Sequence, residues 1–142
     1  MNKEVDQVRV RELMGNMNDA LRRLRELGQL SEKDFLADYH NTESAKYLLI
    51  VASAATVDLC NHIAARRGGR APQDYADCFA VLLEMGVIED GLAKNLQQMT
   101  RFRNLLVHVY GQVDNRLVYQ VMQEDLDDLD AFQQAILNWM GS

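Results

Sequence analysis

The sequence predicts an all-α bundle of five or six helices, and three observations carry that reading. Apolar residues recur at helical spacing along most of the chain. One proline and eight glycines leave it poor in helix breakers. No stretch shows the period-two alternation of a half-buried strand. A length of 142 residues is one domain, read as 1–142, with room for a real core. Hydrophobic residues at 48% and charged residues at 25% are the proportions of a globular protein.

The first helix is expected from about Lys3 to Leu27, where Val5, Val8, Leu13, Met17, Leu21 and Leu24 form a stripe and Gly28 ends it. Ser31 followed by Glu32-Lys33-Asp34 reads as an N-cap with acids in the first turn. From there the pattern stays helical to Arg66, through Phe35, Tyr39, Leu49, Ile50, Ala54, Val57 and Ile63, until Gly68-Gly69. The small residues of Val51-Ala52-Ser53-Ala54-Ala55-Thr56 admit a close helix approach, either within the chain or across a dimer seam. Pro72 suits the first turn of a third helix, Gln73 to Met85, with Tyr75, Phe79, Leu82 and Leu83 inward. Gly86 breaks it. A fourth helix follows from about Glu89, burying Leu92, Leu96, Met99, Phe102 and Leu106, and Tyr110-Gly111 closes it. Asp114 caps a short segment. The acidic run Glu124 to Asp130 opens the last helix, where it offsets the helix dipole, and Ala131, Phe132, Ile136 and Trp139 complete the core.

A net charge of -6 argues against a broad basic surface wrapping nucleic acid, but not against a focused site touching a few phosphates. Arg22-Arg23-x-Arg25 and Arg66-Arg67-x-x-Arg70 are local basic clusters that read as solvated helix faces. Cys60 and Cys78, without CxxC spacing, read as reduced core residues. The sequence Met1 to Asp6 lacks the apolar run of a signal peptide, and charges are expected to interrupt every apolar run before it reaches membrane-spanning length. The expected location is cytoplasmic, with no membrane partner.

The chemistry concentrates in Arg103-Asn104-Leu105-Leu106-Val107-His108-Val109-Tyr110. A guanidinium holds a phosphate through two parallel charge-assisted hydrogen bonds, and an imidazole moves the proton of a ribose 2'-hydroxyl near neutral pH. Together they are a minimal kit for cutting RNA without a metal or other cofactor. Five positions turn a helix by about 140° net, so Arg103 and His108 do not share a face. Arg103 and Tyr110, seven apart, share one, two turns from each other, and Asn104 and His108 are i,i+4 neighbours. One helix therefore does not close its own Arg103 and His108 onto one phosphate with ease. A two-fold dimer would pool two such helix ends around a groove. A capping role for His108 near a helix C-terminus is the structural alternative.

The stretch Met99 to Tyr110 carries Arg-x4-His-x-Tyr, with Asn104 directly after the arginine. In these residues the chain resembles the HepT-like group of HEPN-domain proteins, and the resemblance covers nearly the whole length. Cys60-Asn61-His62-Ile63 and Pro72-x-x-Tyr75-x-x-x-Phe79 before Leu83-x-x-Gly86 add to it. The resemblance implies a metal-independent endoribonuclease, the toxin of a type VII-like toxin–antitoxin pair. It implies a homodimer with the cleft at the subunit interface, and a minimal nucleotidyltransferase antitoxin that neutralises the toxin by AMP transfer to Tyr110. Arg103 and His108 are then the catalytic pair, Asn104 orients the phosphate or His108, and Tyr110 contacts the substrate backbone or is the residue that takes the AMP.

Two other classes compete. One is a non-catalytic dimerisation module that binds a nucleotidyltransferase. The other is a metal-binding bundle, for which His40-x-x-Glu43 supplies half a site. His40 and His62 read otherwise as polar or capping positions, with His62 near the cleft.

Overall fold

The computed structural model describes residues 4–141, so the expected start at Lys3 lies outside them. Asp6 is the N-cap of α1 (Gln7–Leu27), its carboxylate accepting the Val8 and Arg9 amides at 3.0 and 3.2 Å. The buried stripe is Val10, Leu13, Met14, Met17, Ala20, Leu21 and Leu24. Val8, expected inside, is 61% exposed, because five residues before Leu13 it lies about 140° around the helix from the stripe, and Val10 takes the inward position.

The second expected helix is two helices. Ser31 caps α2 (Glu32–Ala37), accepting the Asp34 amide at 3.1 Å. At Asp38 the backbone turns extended (φ -129°, ψ 116°), and its carboxylate takes the His40 amide at 2.9 Å to start α3 (Tyr39–Arg67). The break lets α2 bury Phe35 completely, with Tyr119 at 5.4 Å. The expected boundary between the short Asp114-capped helix and the last one falls at Asp125, separating α6 (Asn115–Glu124) from α7 (Leu126–Met140). With α4 (Tyr75–Glu84) and α5 (Asp90–His108), the described residues form seven α-helices rather than five or six, and no strand.

α3 is the central helix, packed against α1, α2, α4, α5 and α6, with its most extensive pairing to α1. Ala52, Ser53, Ala55 and Thr56 are buried inside this chain, so the small-residue stretch serves an intramolecular crossing. α3 is also long and apolar enough to cross a membrane by length and composition, contrary to the expectation that charges prevent this. Its apolar stretch is 61% buried in the bundle, as befits a helix surrounded by others.

Asp74 caps α4 through the Asp77 amide at 2.7 Å, and Pro72 precedes the helix instead of lying in its first turn. Tyr75 points outward at 46% exposure, while Phe79 and Leu82 are fully buried. Gly86 takes φ +78°, a left-handed backbone that reverses the chain from α4 into α5. Phe79 meets Phe132 of α7 edge-on at 5.7 Å, and Cys60 and Cys78 are free and buried. Ala131, expected in the core, is exposed. The acidic run does more than offset a dipole: Asp127 and Asp130 both hold Arg25 of α1, the former at 3.0 Å.

Candidate active site at the end of helix α5

Leu96, Thr100 and Leu106 anchor α5 in the core, which leaves its last two turns with an open side. Leu105, Val107 and Val109 are exposed there at 49, 44 and 36%. Leu105 lies one turn before His108 and exposes its apolar side chain beside it, whereas Val107 lies about 160° away around the helix, next to Arg103.

Arg103 is half-buried. Its Nη1 donates to Asn104 Oδ1 at 3.1 Å, and the guanidinium lies 5.5 Å from the centre of the Tyr75 ring of α4. Among the described residues it has no carboxylate partner, whereas Arg9, Arg22, Arg23, Arg25 and Arg70 each have one. A guanidinium fixed by a neutral amide and a ring keeps its full charge for an incoming anion. Asn104 thus spends its carbonyl on Arg103 and not on His108.

His108 lies in the last turn of α5 and is exposed. Among the described residues, no hydrogen bond or ion pair holds its ring. Both Arg103 and His108 stay within α5, so the rotation of about 140° and a rise of about 7.5 Å separate their positions. This chain alone does not converge them.

α5 stops before Tyr110. Val109 leaves the helix (φ -132°, ψ 42°), its amide still reaching Leu105 O at 2.9 Å, and Tyr110–Gln112 forms a single 3-10 turn. The helical register that would place Tyr110 on the Arg103 face therefore does not reach it. Instead Tyr110 turns to α3. Its hydroxyl donates to Glu43 Oε2 at 2.5 Å, and Lys46 Nζ donates to its carbonyl at 3.1 Å and lies 4.6 Å from the ring centre. Lys46 is only 4% exposed. Burial, and next the Glu43 carboxylate, push the Tyr110 phenol up to about 12.

The other histidines lie apart. His40 bonds Asp38 through Nδ1 at 2.9 Å and stacks on Tyr39, while Glu43 serves Tyr110, so the two do not form half a metal site. Among the described residues, no three His, Cys, Asp or Glu side chains cluster to hold a metal. His62 lies about 28 Å along α3 from Glu43, away from this site. Its Nε2 accepts the Asp6 amide at 3.1 Å, and burial, then Arg66, push its pKa down.

Tyr75, Glu43 and Lys46 were not legible as site residues in the sequence. Tyr75 fitted an inward periodic position, and Glu43 suggested only half a metal site. The one available signal was Lys46, an ammonium between Ala45 and the apolar run that follows Tyr47.

A family model described as Ribonuclease HepT-like matches residues 17–136. The mRNA nuclease HepT of Shewanella oneidensis is 30% identical over 102 residues, covering 72% of this chain and 77% of that protein. The tRNA nuclease HepT of Aphanizomenon flos-aquae is 23% identical over 130 residues, 91% of this chain and 86% of that one. A solved structure of the tri-AMPylated HEPN toxin of Shewanella oneidensis, in complex with an MNT antitoxin, superposes with a TM-score of 0.85 at 25% identity. It covers 92% of this chain and 97% of that one.

Proposed function

The chain belongs to the ribonuclease HepT-like family, and from that premise we propose that it cuts RNA without a metal at a cleft shared by two copies. It is an enzyme of the ribonuclease class. The observation that carries the finer reading is Arg103, a fixed guanidinium that among the described residues has no carboxylate partner, on the same helix end as His108, whose imidazole none of those residues holds.

In this mechanism the ribose 2'-oxygen attacks the adjacent phosphorus, the bond to the 5'-oxygen breaks, and a 2',3'-cyclic phosphate remains. One His108 takes the 2'-hydroxyl proton, and the His108 of the second copy gives a proton to the departing 5'-oxygen. Arg103 neutralises charge on the five-coordinate transition state, with Asn104 holding the guanidinium in place. A second copy is needed because one helix holds the two groups about 140° apart. The exposed Leu105, one turn from His108, provides apolar area for that contact.

The same reading assigns the chain a toxin's role in the cytoplasm, opposed by a minimal nucleotidyltransferase that transfers AMP to Tyr110. Support comes from the AMPylated HEPN toxin bound to its antitoxin, and from a tyrosine hydroxyl held at the site's edge. A bulky anionic adduct would fill the cleft.

The test is His108→Ala. RNA cleavage should fall by about 10²–10⁴-fold while helicity is retained, and full activity would remove His108 from the mechanism. EDTA should leave the wild-type rate unchanged; loss restored by a divalent ion would overturn the metal-free chemistry. If the purified, unmodified dimer degrades no RNA, the chain is a binding module for the nucleotidyltransferase instead.

A further inference from the structure

Glu43 and Lys46 lie three residues apart on one face of α3 and grip Tyr110 from both ends. Lys46, itself buried, holds the backbone carbonyl and covers the ring, so the direction of the phenol is set from the main chain outward. Glu43, on the exposed first turns of α3, receives the hydroxyl hydrogen at 2.5 Å. Simple packing of a tyrosine at a helix end needs neither a carboxylate on its oxygen nor a buried ammonium under its ring.

We propose that Glu43 is the catalytic base for adenylylation of Tyr110, supplied by the chain being modified and not by the modifying partner. The inference rests on the Tyr110 modification proposed above. In the step, Tyr110 Oη attacks the α-phosphorus of a nucleoside triphosphate held by the nucleotidyltransferase. The new O–P bond forms as the bond to the β-phosphate oxygen breaks. Pyrophosphate departs with that electron pair, and the phenol proton passes to the Glu43 carboxylate and then to water. Burial and the Glu43 carboxylate push this phenol up to about 12, further from neutral pH than an ordinary tyrosine. Preformed phenolate is therefore scarce, and a proton acceptor already in hydrogen-bond contact is what the attack requires. Lys46 is a positioning residue, acting through the ring and carbonyl it holds. After transfer, Oη has no hydrogen to give and the new phosphate is repelled by Glu43, so the modified side chain leaves this contact.

The experiment follows adduct formation on the purified chain by intact mass, with its nucleotidyltransferase and ATP, across pH. Glu43→Gln keeps size and an acceptor oxygen but cannot take the proton. Its rate should fall by about 10²–10⁴-fold, with an unchanged melting temperature. Glu43→Asp should recover part of the rate. Modification of Glu43→Gln at the wild-type rate overturns the inference. So does an equal loss in both variants accompanied by weaker binding of the partner, which would make Glu43 a docking contact. If wild-type Tyr110 acquires no adduct, the regulatory reading fails and this inference fails with it. An adduct formed equally fast on wild type and Glu43→Gln sinks the inference alone.

Discussion

Replacing Arg103 separates chemistry from stability, because its contacts within the chain are weak and its expected role is strong. Within the fold it makes one hydrogen bond to a neutral amide, at 3.1 Å, and one ring contact, at 5.5 Å. The first contributes about 1 kcal/mol, and the second about 0.5–1 kcal/mol at a partly exposed position. Arg103→Ala should therefore cost about 1–2 kcal/mol of stability, or about 3–6 °C in melting temperature at this size. In catalysis, losing one donor to a transition-state oxygen costs about 2.7–4 kcal/mol, or 10²–10³ in rate. Arg103→Lys keeps the charge but loses the planar fork, so it should lose about that much; Arg103→Ala should lose at least about 10³-fold. The assay is single-turnover cleavage of a mixed-sequence RNA at 25 °C, with a thermal melt of each variant alongside. Near-wild-type cleavage by Arg103→Ala would refute the assignment. So would an activity loss that disappears once the variants are compared at equal distance from their melting temperatures.

Phe132→Ala should lower stability by about 3–5 kcal/mol, read as a reduced urea midpoint at unchanged slope, since the ring is fully buried against Phe79. On the proposed two-copy cleft, Leu105→Glu should leave a monomer in sedimentation where wild type sediments as a dimer, with RNA cleavage falling in step, because it places a charge on the exposed apolar position one turn from His108. Arg70 grips Asp77 at 2.6 and 2.9 Å and, together with the Gln73 amide, holds its carboxyl at about 2 instead of its ordinary 3.8. A depressed carboxyl stabilises the fold above its ordinary value and loses that contribution as pH falls through its folded one. The melting-temperature gap between wild type and Asp77→Asn should thus be full at pH 6 and close between about pH 4 and pH 2.

Most helix starts were readable because capping is local: Ser31 and Asp114 accept backbone amides two or three residues ahead, within the window that predicts them. Asp38 was missed for the opposite reason. In a run that stays helical on both sides, an aspartate is equally a surface residue or a cap. What decides is the burial of Phe35 near Tyr119, a residue 84 positions away. Tyr75 fitted the inward period of α4 but turns out toward Arg103, a residue of the next helix.

The sequence by itself determined the all-α class, the positions of most breaks, and the placing of a guanidinium and an imidazole five residues apart on one helix. These follow from local free energies, namely side-chain period, capping and backbone freedom, which a short window contains. Only the tertiary structure decided that α5 ends at His108, that Tyr110 turns to α3, and that Lys46 and Glu43 receive it from 64 and 67 positions earlier in the chain. It decided equally that Arg103 has a ring and an amide for company and, among the described residues, no acid. Such pairings depend on which helix faces pack together, and that is a property of the whole core, not of any one segment.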